Sequence, residues 1–150
     1  MTAEETLNML LMKILKDIME VEGKCLVQGE FANLTYNDFH VIEAIGMEEP
    51  KSMKTVANLM RVTTGTLTKA MDGLCEKGYV TRERSKQDKR VIWVSLTEKG
   101  RAAYVHHEAF HKDMIKNAKG QLNEQETTVL IGTLTNLADY FQAQCRIAEA

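Results

Sequence analysis

SMKTVANLM, RVTTGTLTKAMDGLCEKG and YVTRERSKQDKRVIWVSL follow one another over residues 52–96, and their hydrophobic periods differ. In the first segment Ser52 has the chemistry of a helix N-cap. Met53, Val56 and Leu59/Met60 then fall on the inner side of one short helix. Arg61-Val62 is the turn, and Thr63 or Thr64 caps a second helix that runs to about Lys77. Its apolar positions Leu67, Ala70, Met71 and Leu74 have i, i+3, i+4, i+7 spacing. Gly78 is a natural C′ residue. The period then drops to 2. Tyr79–Arg84 reads as a strand with Val80 inward, and Val91–Leu96 as another with Ile92, Val94 and Leu96 on one face. Six polar residues without glycine, Ser85 to Arg90, make a long charged hairpin tip. Two short helices, a tight turn and a hairpin make a winged helix-turn-helix plan.

The flanks read as helices. Leu7, Leu10, Leu11, Ile14, Leu15, Ile18, Met19 and Val21 form a wide stripe over residues 5–22, which Gly23 and Gly29 end. Thr35 and Asp38 resemble a capping pair for a helix with Phe39, Ile42 and Ile45 inward, closed by Gly46 and Pro50. Thr97 caps a long helix that reaches Ala118 or Lys119 before Gly120. Asn123 caps the last helix, with the stripe Val129, Leu130, Leu134, Leu137 and Phe141. The fold class is mainly α (α+β), ordered α-α-α-α-β-β-α-α. The terminal stripes are wide for a 150-residue monomer, so a homodimer is expected to bury them. The chain divides into an N-terminal dimerisation helix (1–34), the winged helix-turn-helix domain (35–100) and C-terminal dimerisation helices (101–150).

Charge is segregated. Residues 51–101 hold twelve Lys/Arg and five Asp/Glu, a net of +7 within a chain of net −2. A basic middle between acidic ends suits a partner that is a polyanion. No apolar run approaches the ~20 residues that span a bilayer. The N-terminus is acidic without a basic n-region, so a cytoplasmic location is expected. Cys25, Cys75 and Cys145 are widely spaced without a CxxC or CxxH pattern, and are read as reduced, packed thiols. There is no nucleophile elbow, P-loop or dinucleotide-binding glycine pattern. His40 with Asp38 and Glu43 fits an ordinary half-exposed helix, so no enzyme and no cofactor is expected.

The expected partner is double-stranded DNA. Threonines can touch thymine methyls and base or phosphate oxygens, Gly65 lets the backbone come close, and a helix N-terminus favours a phosphate. A long basic loop can reach the adjacent minor groove. The candidate DNA-binding residues are Ser52, Thr63, Thr64, Thr66, Thr68 and Lys69, with Lys86, Asp88, Lys89 and Arg90 of the wing.

Gly78-Tyr79-Val80-Thr81-Arg82, the wing Asp88-Lys89-Arg90 and Leu96-Thr97-Glu98-Lys99-Gly100 resemble the signature of the MarR family over nearly the whole chain. That resemblance implies a two-fold dimer, a palindromic operator and an effector pocket. It also implies that Arg90 enters the minor groove, Asp88 orients the wing, and Thr63 to Lys69 read DNA. Within the family, Val62-Thr63-Thr64-Gly65-Thr66-Leu67-Thr68, Arg84 to Arg90 and Phe110-His111-Lys112-Asp113-Met114 are similar to the branch that represses fatty-acid synthesis. That branch implies a long-chain acyl group on acyl carrier protein as effector. Met12, Leu15, Ile18, Met19, Phe39, His107 and His111 are the candidate effector-binding residues, although dimer core explains the α1 positions equally well. The rival readings are sensors of a small aromatic ligand, of zinc through His106, His107, Glu108, His111 and Asp113, or of peroxide through Cys25. No metal site is assigned from the sequence.

Overall fold

Side-chain caps start the helices, as the sequence expects. In the computed structural model, which describes residues 1–149 except the side chains of Cys25 and Glu149, α1 spans Ala3–Val21 behind a Thr2/Glu5 capping box. A π-helical turn (Glu22–Leu26) and a 3₁₀ turn (Gly29–Phe31) follow. Helix α2 is Tyr36–Ile45, with Thr35 and Asp38 exchanging both hydrogen bonds of a capping box. The shorter Asp thus serves where Glu or Gln is usual. Gly46 ends α2 at φ 72°, a conformation that favours glycine.

Helix α3 (Met53–Met60) starts at Ser52, and α4 (Thr64–Glu76) starts at Thr63 rather than Thr64. Arg61 supplies the left-handed residue between them at φ 57°. Gly78 turns the chain at φ 86° into β2 (Val80–Arg84), which pairs antiparallel with β3 (Ile92–Leu96) from Val80↔Leu96 to Arg84↔Ile92. A third, two-residue strand, β1 (Lys51–Ser52), pairs with the other edge of β3, giving the order β1-β3-β2. The expected hairpin is therefore a small three-stranded antiparallel sheet in a mainly helical chain.

The described residues form two compact units, 1–110 and 111–150. In the first, Phe39, Val41, Ile42 and Ile45 of α2 meet Val56, Leu67, Met71 and Leu74 of α3 and α4, closed by Tyr79, Val94 and Ala103. Each Leu, Ile or Phe so buried contributes about 1.5–3 kcal/mol. Leu59 does not join them. It is exposed and Met60 is half-buried, so α3 buries Met53, Val56 and Ala57 instead. Tyr79 is fully buried, and its hydroxyl donates to Asn33 Oδ1 at 2.7 Å. Thr97 caps α5 (Glu98–Lys119) through the Gly100 N–H. Gly100 is required by contact, because a Cβ there would lie 2.1 Å from the Tyr79 carbonyl oxygen.

Helix α1 buries none of its residues, and Leu7, Leu10, Leu11, Ile14 and Leu15 are exposed. In the second unit Gly120 (φ 46°) follows α5, and Asn123 caps α6 (Glu124–Glu149). Val129, Ile131, Leu134 and Phe141 of α6 are exposed. No helix of the described residues is long and apolar enough to cross a membrane.

Candidate nucleic-acid interface

The candidate surface begins with the hydroxyls at the start of α4. Thr63 Oγ1 accepts the Thr66 N–H at 3.1 Å and donates to Thr66 Oγ1 at 2.9 Å. Thr68 Oγ1 donates to the Thr64 carbonyl at 2.7 Å. Ser52 caps α3 through the Thr55 N–H. Ser52, Thr63, Thr66 and Thr68 therefore hold local bonds, while Thr64 and Lys69 stand exposed on α4. Leu67, Met71 and Leu74 bury the opposite side, which fixes the direction the exposed side faces.

The wing is a structured tip despite lacking glycine. Ser85 is buried and accepts the Asp88 N–H through Oγ, and its own N–H bonds the Val91 carbonyl. Asp88 then takes three bonds from Arg90: Oδ1 from the backbone N–H and Nε, and Oδ2 from Nη2, each at 3.0 Å. The Arg90 guanidinium, followed by its backbone N–H, holds the Asp88 carboxyl below its ordinary value. Asp88 in turn raises Arg90. The Arg90 side chain is nonetheless 90% exposed. Arg84 Nη1 donates to the Lys89 carbonyl at 2.6 Å and closes the base of the tip.

The wing and α4 face a common groove of about 510 Å³, whose walls include Ser52, Lys54, Thr64, Thr68, Asp88 and Arg90. Part of each candidate set thus comes together. An ion pair ties the two elements, with Arg82 on β2 2.6 Å from Asp72 on α4. Lys86 and Lys89 are exposed at the tip.

The basic surface is smaller than the +7 implies. Lys51 donates to the Ala44 and Ile45 carbonyls at the end of α2, where a cation is favoured. Lys77 pairs with Asp38, Lys99 lies over the Tyr79 ring, and Arg101 donates to the Met47 carbonyl. With Arg82, Arg84 and the Arg90 clasp on Asp88, at least seven of the twelve cations hold bonds within the fold.

The candidate effector residues do not converge as one set. Met12, Leu15 and Met19 are exposed on α1 and Ile18 is half-buried. Phe39 and His107 do meet, with ring centroids 5.5 Å apart in the core. His111 lies in the second unit. His106 leaves the expected histidine group, since its Nε2 bonds the Leu26 carbonyl and its ring lies on Phe31. Within the first unit, Glu22, His40 and Glu43 also lie beside His107. Sequence reading missed Glu22, since a glutamate ending an acidic helix carries no sign of burial. Of the thiols, Cys75 is half-buried and Cys145 is exposed on α6, against the expected packing, while the Cys25 side chain lies outside those described.

Comparison with known proteins agrees with this geometry. A family model for the transcriptional regulators SarA/Rot matches residues 28–108. The HTH-type transcriptional regulator SarZ of Staphylococcus saprophyticus is 42% identical over 69 residues, covering 46% of this chain and 47% of the relative. The chain thus spans about half the length of that relative. The crystal structure of Streptococcus pneumoniae FabT in complex with DNA matches with a TM-score of 0.86 and 31% identity, over 94% of this chain and 99% of that one. A MarR/EmrR family regulator from Acinetobacter sp. ADP1 shares the fold, with a TM-score of 0.70 and 16% identity over 95% and 99% of the two chains.

Proposed function

The chain belongs to the SarA/Rot family of transcriptional regulators, with the winged fold of MarR-type proteins, and from that premise we propose that it is a repressor of fatty-acid-synthesis genes. On this reading it binds a palindromic operator as a homodimer, in the cytoplasm. A long-chain acyl group on acyl carrier protein is the effector. The single observation that carries the reading is the likeness to FabT, a protein crystallised with DNA, over nearly the whole of both chains. Family and fold are those of transcriptional regulators rather than enzymes.

The same reading assigns roles to residues. Thr64, Thr68 and Lys69 of α4 read the major groove, with Ser52, Thr63 and Thr66 holding the helix starts close to phosphates. Arg90 enters the minor groove, Asp88 presents it, and Lys86 and Lys89 meet the backbone. Residues 35–100 form the DNA-binding part, while 1–34 and 101–150 form the dimer. The exposed apolar faces of α1 and α6 support that division. Met12, Leu15, Ile18 and Met19 serve the dimer or the acyl chain.

Fluorescence anisotropy on the DNA upstream of the protein's own gene tests this. Long-chain acyl-acyl carrier protein is expected to change operator affinity at least about fivefold, as allosteric coupling typically does. The unacylated carrier is expected to leave it unchanged. Equal affinities with both carriers would sink the lipid reading and leave the DNA reading standing.

A further inference from the structure

Three chain segments place nitrogen and oxygen donors around one point inside the first unit. Glu22 lies in the π-helical turn after α1, His40 on α2 and His107 on α5. Glu22 and His107 are 1% and 3% exposed. The two imidazoles are oriented alike. Both ε-nitrogens face the Glu22 carboxylate, His107 Nε2 at 3.3 Å from Oε1 and His40 Nε2 at 3.9 Å from Oε2. Both δ-nitrogens face Glu43 Oε2, at 3.7 Å for His107 and 4.0 Å for His40.

We propose that Glu22, His40 and His107 bind one divalent transition-metal ion of the zinc class. Around a tetrahedral zinc with bonds of about 2.0–2.2 Å, donor atoms lie roughly 3.3–3.6 Å apart. The Glu22–His107 separation of 3.3 Å already has that value, and the Glu22–His40 separation of 3.9 Å exceeds it by a few tenths of an ångström. His40 Nε2 is buried and has no hydrogen-bond partner among the described residues. At 3.9 Å the carboxylate is too far to accept a hydrogen bond from it. A buried polar atom aimed at an anion without bonding it is accounted for by a cation between them. Two imidazoles and one carboxylate are a recognised zinc donor set, with a fourth position left to water or a further donor. Glu43 lies on the δ-nitrogen side of both rings, where an outer carboxylate would orient metal-bound histidines, at 3.7 and 4.0 Å and so beyond direct hydrogen-bond distance. The ion would tie the end of α1 to α2 and α5, and so brace the helix on which α3 and α4 pack.

This inference does not depend on the lipid reading, since its test contains no acyl carrier. The full chain, stripped with chelator, is titrated with zinc chloride by calorimetry, and cobalt(II) is used as a spectroscopic probe. One ion per chain is expected, with Kd at or below about 1 μM. His40→Ala is expected to weaken it at least about tenfold, a loss of the size that ligand-shell changes produce. His106→Ala, which removes a neighbouring imidazole outside the cluster, is expected to leave it unchanged. The cobalt spectrum is expected to be tetrahedral without a thiolate band. No binding at about 100 μM zinc would overturn the proposal and make the cluster an ion pair alone. So would unchanged binding in His40→Ala, or a thiolate band. His40 is half-exposed, so its variant keeps the test decisive even if Glu22→Gln fails to fold.

Discussion

The Asp88–Arg90 clasp sets what one residue can do. It holds a guanidinium in a fixed orientation at an exposed tip. Arg90→Ala is expected to weaken operator binding at least about tenfold, as loss of a minor-groove arginine should, with circular dichroism and oligomeric state unchanged. Operator affinity equal to wild type would remove Arg90 from the interface. The pH dependence follows from the sign of the shift. Asp88 is lowered in the folded chain, first by the Arg90 guanidinium and then by its backbone N–H. The clasp is therefore intact above the ordinary carboxylate range and is lost as pH falls through the lowered value. An NMR titration of Asp88 should show a depressed midpoint, and Arg90→Ala should return it upward. Gly100 makes a different kind of prediction. Gly100→Ala forces a Cβ onto the Tyr79 carbonyl, and overpacking of that kind costs about 1–3 kcal/mol. Thermal melting should fall by several degrees, and an unchanged midpoint would show that α5 can shift.

Among the elements, α4 is held at its start and again in its second half. Thr63 caps its start, and Asp72 ties it to the wing through Arg82. Thr63→Ala is expected to cost about 1 kcal/mol of stability, read from denaturant midpoints. Lys69→Ala leaves the fold intact and is expected to cost about 1–3 kcal/mol of operator binding if it contacts a base. Much of this level was legible in the sequence. The caps at Ser52, Thr97 and Asn123 are local chemistry, and the change of period at Tyr79 needs no tertiary knowledge. The misses have physical causes. Strand β1 has two residues, too few for any period to register. Leu59 lies at the edge of a short helix, where spacing alone does not tell core from surface. The basic count overstated the charge free to meet a polyanion because Lys77, Lys99 and Arg101 bond groups distant in sequence and Lys51 bonds the end of the preceding helix.

For the whole molecule, the apolar stripes at both ends were legible, while the cluster around Glu22 was not. Glu22, His40 and His107 share no motif, and only the fold of the first unit brings them together. Sedimentation should give a dimer, and operator affinity should fall steeply with salt as phosphate-bound counterions are released. A monomer at micromolar concentration would remove the dimer reading. Helix α1 has nineteen residues and buries none of them within one chain. In proteins most of a helix's stability comes from packing its apolar face rather than from propensity. Its folding and the meeting of two copies are then a single reaction governed by mass action. Helicity and melting temperature should both rise with protein concentration. If two copies do meet through α1, the number of copies in a cell sets how much of the regulator carries a folded α1, while the core of the first unit is buried within each chain.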